Sequence, residues 1–189
     1  EEIKIPAKKI GRMGRKDNFW GPTGSEGPCG PTSEIYADGV EIWNMVFNEY
    51  YCDAEGRFSR LQNPGIDTGM GLERLSAVVQ GSPDVFETDL FRDLTVKLRE
   101  ITKIKEKKAI RILADHLRAA CFLIGDGLRP GNKEAGSVLR RLIRKMMAYG
   151  IKHDIHADLF GETIGIVSRA YSNIYPELKN VSEITRVLQ

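Results

Sequence analysis

Cysteine and histidine are scarce in this sequence, with three of each among 189 residues. Cys29, Cys52 and Cys121 are odd in number and widely spaced, and His116, His153 and His156 lie apart from them. No CxxC or HxxxH pair occurs, so a structural or catalytic zinc site is not expected. The cysteine usage fits a reducing, cytoplasmic setting. No apolar run approaches the about 20 residues of a membrane span, and no signal-peptide pattern is present, so no membrane partner is expected. A GxxxxGK[ST] loop is absent, which argues against a P-loop ATPase. Internal repeats and low-complexity tracts are absent too. What remains is ordinary for a globular chain, 41% hydrophobic and 29% charged, and long enough for one or two domains with their own cores. The first residues, Glu1-Glu2-Ile3-Lys4-Ile5, lack an initiator Met, as an excised or processed piece of a longer protein would.

The small net charge of +2 hides an asymmetry. From Lys103 to Lys152 there are thirteen Lys and Arg against four Asp and Glu, an excess of nine, so the rest of the chain carries seven net negative charges. A basic half beside an acidic half suggests that one part meets a polyanion. The pattern divides in the same way. Through about Glu100 it predicts mixed strand and loop. Lys4-Ile5 and neighbours form a weak strand, and Gly21 to Pro31 a turn-rich loop. Glu41 to Phe47 is β-branched and aromatic, hence a strand. Asp53-Ala54-Glu55-Gly56 is a turn, Arg57 to Leu61 a returning strand, and Leu72 to Gln80 a short helix ended by Gly81-Ser82-Pro83. Beyond that, apolar residues at helical spacing predict helices through Ile110 to Ile124, Val138 to Met146 and Leu159 to Ala170, with another beginning near Val181. The domains expected are therefore 1–100 and 101–189.

The stretch Asp67-Thr68-Gly69-Met70-Gly71-Leu72-Glu73-Arg74-Leu75 carries the most chemistry. It reads as an acid entering a glycine-flanked turn that opens a helix. Gly69 and Gly71 let a ligand approach the backbone. A helix N-terminus favours anions. Arg74 offers a planar fork suited to phosphate oxygens, and Asp67 a fixed negative charge for an ammonium group or a metal. The plainer alternative is a helix capped by Thr68 with a surface arginine.

Three further motifs stand in order before it: Asn18-Phe19-Trp20, then Gly27-Pro28-Cys29-Gly30-Pro31-Thr32-Ser33-Glu34, then Glu41-Ile42-Trp43-Asn44. Together the four resemble the alanyl-tRNA synthetases of class II. The resemblance implies an α+β fold: part of a mixed, largely antiparallel class II sheet with flanking helices, followed by an all-helical domain. It implies joining of alanine to ATP as an adenylate, with Mg²⁺ accompanying ATP, and transfer of the alanyl group to tRNA. Asp67 would anchor the alanine ammonium group, Asn44 would face its carboxylate, and Trp20 and Val46 would wall a methyl-sized pocket beside Gly69. Arg74 would hold the terminal phosphate of ATP near Gly69 and Gly71, with Glu41 near the metal. The alternatives for Trp20 and Glu41 are a core residue and a solvated strand residue. Thr32 stands where the family usually has a second Cys, and the segment Tyr36 to Val40 is shorter than in many relatives. The family's first two motifs should precede Glu1, so the chain is expected to hold half of the adenylation site. Its editing domain, with zinc-binding histidines and cysteine, is expected beyond the other end.

Ala114-Asp115-His116-Leu117-Arg118, Asp126-Gly127-Leu128-Arg129-Pro130-Gly131-Asn132 and Gly136-Ser137-Val138-Leu139-Arg140-Arg141-Leu142-Ile143-Arg144 also resemble the family, in its tRNA-recognition helices. Asn132 aligns with a residue that contacts the acceptor stem of tRNA(Ala), and asparagine can both donate to and accept from base edges in a shallow minor groove. Gly131 and Lys133-Glu134-Ala135 depart from the family's flanks there. Arg140, Arg141, Arg144 and Lys145 occupy adjoining faces of one helix and could follow a phosphate backbone. The plainer alternative is a solvated face whose arginines pair with acids. A different class of function also fits: a non-catalytic RNA-binding module on a synthetase scaffold.

Overall fold

The structure is a computed structural model and describes residues 4–189. The chain forms two compact units, 1–78 and 79–189. The first is a four-stranded antiparallel sheet of β1 (Phe19–Trp20), β2 (Gly27–Ala37), β3 (Val40–Cys52) and β4 (Phe58–Met70), in that spatial order, followed by α1 (Leu72–Val79). Asp53 closes the β3–β4 turn by accepting hydrogen bonds from the Glu55 and Arg57 backbone N–H groups, at 3.0 and 2.8 Å.

Several expectations are revised here. No strand forms at Lys4-Ile5, where the described backbone leads instead into a 3-10 turn at Ala7–Lys9; Ile3, a neighbour in that expectation, lies outside the described residues. The expected loop ends early, because Gly27 to Pro31 already belong to β2. Pro31 is tolerated there because the β2–β3 register slips between Cys29 and Thr32, leaving Gly30 and Pro31 without a partner residue on β3. Gly30 is obligatory at this place: a Cβ on it would stand 1.7 Å from the Phe47 carbonyl oxygen. The largest revision concerns Asp67 to Met70. These residues are the last rungs of β4, paired with β3, and not a turn. Strand pairing outcompetes the turn preference of the glycines, and only Gly71 separates β4 from α1.

The second unit is built from α2 (Arg92–Thr102), α3 (Lys107–Gly125), α4 (Glu134–Lys152), α5 (Leu159–Tyr171) and α6 (Val181–Leu188). The last three helices expected from periodicity are present, and α3 contains the first. Sequence reasoning missed α2. The boundary it placed at residues 100/101 falls inside this helix, whose Leu94 and Leu98 are buried with Leu113, Leu117, Ile164 and Ile184 in one helical core. Among the described residues, no helix is long and apolar enough to cross a membrane.

Candidate functional site

In an antiparallel pair, residues directly opposite one another share a face, and alternate residues along a strand return to it. Asn44 is opposite Gly69, and Val46 is opposite Asp67. On the other side of β3, Glu34 faces Asn44 and Thr32 faces Val46. One face of the sheet therefore gathers Thr32, Glu34, Asn44, Val46, Asp67 and Gly69. Four of these, Asn44, Val46, Asp67 and Gly69, were expected to bind one amino acid. The apolar member, Val46, is buried at 8% exposure. Asp67 is exposed, and its carboxylate has no hydrogen-bond or ion-pair partner among the described residues. A Cβ built on Gly69 would meet nothing within 4 Å, so the space opposite Asn44 is open.

Polar contacts on this face run through Glu34. Asn44 Nδ2 donates to Glu34 Oε1 at 3.2 Å, and the Tyr36 hydroxyl donates to Glu34 Oε2 at 2.6 Å. The Glu34 carboxylate beside it pushes the Tyr36 hydroxyl above the ordinary phenol range, so Tyr36 remains a donor. Asn44 Oδ1 is out of water and has no hydrogen-bond partner among the described residues. Asn18 reaches the same strand by donating from Nδ2 to Thr32 Oγ1 at 3.3 Å. Trp20, expected as a pocket wall or a core residue, sits opposite Gly30 at the sheet edge and is 41% exposed.

Arg74 and Glu41 come together at the start of β3. Arg74 Nη1 donates to the Glu41 carbonyl oxygen at 3.0 Å and lies 3.4 Å from Glu41 Oε2. Gly71 holds the turn against β3 through its N–H, which donates to the Ile42 carbonyl at 3.1 Å, and a Cβ added there would touch the Arg74 stem at 3.4 Å. Asp67 and Arg74 are thus anchored separately, one on the open sheet face and the other on the backbone of β3. Three His, Cys, Asp or Glu side chains placed to hold a metal ion do not occur among the described residues. Glu41 offers a single carboxylate, already shared with Arg74. Cys29 and Cys121 are not poised as nucleophiles: burial pushes the Cys29 thiol upward and that of Cys121 up to about 12.

In the helical unit, Asn132 accepts a hydrogen bond from Arg140, so two of the residues expected to meet RNA are joined. Arg141, Arg144 and Lys145 are exposed on α4 and pair with no acid among the described residues. The same holds for Arg140, while farther along α4 Lys152 Nζ lies 3.6 Å from Glu106 Oε2.

Sequence reasoning named Asn44, Val46, Asp67 and Gly69 but gave Glu34 no role. Its signal was available only through register, since nothing in the sequence alone places residue 34 opposite residue 44.

Comparison with known proteins agrees with the motifs. The family model for tRNA synthetases class II (A) matches residues 1–189. An alanine–tRNA ligase of Petrotoga mobilis is 40% identical over 94% of this chain, and one of Thermotoga petrophila is 42% identical over 94%. One of Nitrosococcus oceani is 39% identical over 100% of it. The chain spans only 23–24% of the length of these relatives. Matched along its whole length by that model, the chain belongs to the class II (A) tRNA synthetases.

Proposed function

We propose that this chain is part of an alanine–tRNA ligase, supplying the later part of the adenylation domain and the start of a helical tRNA-recognition domain. The observation that carries the reading is the sheet face on which register gathers Asn44, Val46, Asp67 and Gly69. An unpartnered carboxylate, a small apolar neighbour and an open glycine position suit an amino acid with a methyl side chain. Asp67 takes the ammonium group through a charge-assisted hydrogen bond. Val46 and Trp20 limit the side chain. Such a pocket excludes bulk but discriminates poorly against glycine or serine, since a methylene or hydroxyl is worth only ~1–3 kcal/mol. Editing of these errors belongs to a domain outside these residues.

Arg74 binds the terminal phosphate of ATP, and Gly69 and Gly71 allow the nucleotide close to the backbone. Mg²⁺ arriving with ATP takes its oxygens mainly from phosphate and water, with Glu41 as a single protein carboxylate near it. No protein nucleophile is required. The alanine carboxylate attacks the α-phosphorus and pyrophosphate leaves, while the site positions the reactants and offsets charge. The acceptor stem of tRNA(Ala) lies along Asn132, Arg140, Arg141, Arg144 and Lys145. The free outer edge of β4, with Ile66 and Met70 exposed on the opposite face, supports the reading that further strands of the adenylation domain pack there.

The test is alanine-dependent ATP–pyrophosphate exchange in the complete enzyme. D67A and R74A should each abolish most of it. Undiminished exchange in either variant removes that residue from the site. A second reading, an RNA-binding module without catalysis, draws on the unpaired basic row of α4. It predicts salt-sensitive binding of an acceptor-stem hairpin by a complete protein that shows no alanine-dependent exchange.

A further inference from the structure

The loop that carries Asn132 is gripped from two helices at Arg129. Its near end is packed: the Leu128 N–H donates to the Leu123 carbonyl at 3.0 Å, and Leu128 lies against the helical core. Beyond that point the loop borders a cleft of about 390 Å³, whose lining includes Gly127, Arg129, Glu177 and Glu183. Arg129 meets Glu183 of α6 there, donating from Nη2 to Oε1. Its backbone is pressed onto α4 instead. A Cβ on Gly136 would stand 2.8 Å from the Arg129 carbonyl oxygen, and the Gly131 N–H donates to the Gly136 carbonyl at 2.9 Å. Asn132 is the next residue, with Arg140 donating to its Oδ1.

Glu183 does more than serve its own helix. α6 opens at Asn180, whose side chain accepts from the Glu183 N–H at 3.2 Å. In a capping box the glutamate at this place reaches back to the N–H of the capping residue. Here that N–H donates to the Glu177 carbonyl at 3.4 Å, and the carboxylate turns to Arg129 and Arg186. Arg186 Nε and Nη2 donate to it at 2.8 and 2.7 Å, and Arg186 foremost holds the carboxyl below the usual glutamate range. The planar Arg186 fork fixes the orientation of the carboxylate, and so the direction in which Arg129 is drawn.

We propose that Glu183 is a positioning residue for RNA recognition: through Arg129 it sets the loop that presents Asn132 to the acceptor stem. This rests on the reading of Asn132 and α4 as a tRNA face and deepens it. Base edges are read by hydrogen bonds of fixed direction, whereas contacts to phosphate hold the nucleic acid without reading its sequence. A loop already set in its binding geometry needs no ordering when RNA arrives. Arg129 and Glu183 are both partly exposed, so their ion pair adds little to folding. Losing it therefore leaves the fold and the phosphate attraction of α4 in place and loosens the reading group.

The test titrates the complete enzyme with a tRNA(Ala) acceptor-stem hairpin and with hairpins in which one base pair at a time is exchanged. Glutamine also suits this place in a capping box, so E183Q keeps α6 while removing the charge that draws Arg129. E183Q should lower the preference for the matched hairpin about fivefold, the ceiling for an exposed ion pair. The dependence of binding on salt, the melting temperature and alanine-dependent ATP–pyrophosphate exchange should stay as in the parent. R129Q should lose the same preference, and R129Q/E183Q should be no worse than either single variant, since all three break one bond. Equal weakening of matched and exchanged hairpins in E183Q, or a double variant whose loss is the product of the single losses, overturns the proposal. A parent that binds the hairpins without preference removes the tRNA-face reading, and the role of Glu183 with it. A parent that discriminates, beside an E183Q variant that discriminates equally well, overturns the positioning role alone.

Discussion

Arg74 and Glu41 meet across thirty-three positions of sequence, with Nη1 3.0 Å from the Glu41 carbonyl oxygen and 3.4 Å from its carboxylate. One nitrogen of the guanidinium is spent on holding the side chain to β3. The remaining donors have no partner among the described residues and stay available for phosphate. Both side chains are partly exposed, so the ion pair itself stabilises the fold by only ~0–1 kcal/mol. On the proposed reading, its value lies in aiming the fork. R74K keeps the charge but cannot hold Glu41 and a phosphate in a fixed plane. The KM for ATP should rise about tenfold or more in R74K, while the melting temperature moves little. A KM for ATP equal to that of the parent would show that charge alone suffices.

Glycines in the sheet unit divide into two kinds, and substitution separates them. G30A forces a Cβ to 1.7 Å from the Phe47 carbonyl oxygen, which is backbone and cannot swing aside. It should cost roughly 3 kcal/mol or more in denaturant unfolding, the scale of severe overpacking. At Gly65 and Gly69 a Cβ meets nothing within 4 Å. G65A and G69A should therefore leave stability within about 1 kcal/mol of the parent. G69A alone should impair alanine-dependent exchange, because its methyl group occupies the open space opposite Asn44. Equal activity in G65A and G69A would count against the placement of the amino acid there.

Much of this was legible in the sequence, and the failures share a cause. Helical periodicity located α3, α4, α5 and α6, because each buries a stripe such as Ile110, Leu113, Leu117 and Ile124. It missed α2, where only Leu94, Thr95 and Leu98 are buried and five of the other eight residues are charged. The motifs singled out residues that register gathers on one sheet face but mistook Asp67 to Met70 for a turn. Glycine-rich segments carry strong turn signals, and only the partner strand, with Val46 opposite Asp67 and Asn44 opposite Gly69, overrides them. Register is a non-local property. For the same reason the contact between Glu34 and Asn44 could not be read until β2 was set against β3.

The turn joining β3 to β4 should make stability depend on acid. Asp53 accepts from the Arg57 and Glu55 backbone N–H groups and from Arg57 Nε, at 2.8, 3.0 and 2.8 Å. These bonds, the Arg57 backbone N–H foremost, hold its carboxyl below the usual carboxylate range. A carboxyl whose value is lowered by folding stabilises the protein above its unfolded value, about 3.9, and loses that contribution as pH falls through the folded one. D53N should therefore be less stable than the parent at pH 7. The gap between them should narrow below about pH 4, as measured by urea unfolding at both pH values. A gap of constant size would assign the effect to hydrogen-bond geometry and not to charge.

The basic face of α4 allows a test independent of the adenylation site. Arg141 and Lys145 stand one turn apart, and Arg144 and Arg140 form the adjoining row. Arg140 is tied to Asn132, but Arg141, Arg144 and Lys145 pair with no acid among the described residues. Free cations on a helix face release counterions from RNA when they bind phosphate. The affinity then falls with salt by a slope proportional to the number of contacts. Replacing all three by alanine should weaken an acceptor-stem hairpin and flatten the plot of log K against log salt by about 2–3. Helix content should be unaffected, because these side chains are exposed and alanine is the strongest helix former. N132A acts differently. It releases Arg140 and removes a group able to read base edges, so it should reduce discrimination among hairpin sequences more than it changes the slope. An unaltered slope in the triple variant would return α4 to the role of a solvated helix face.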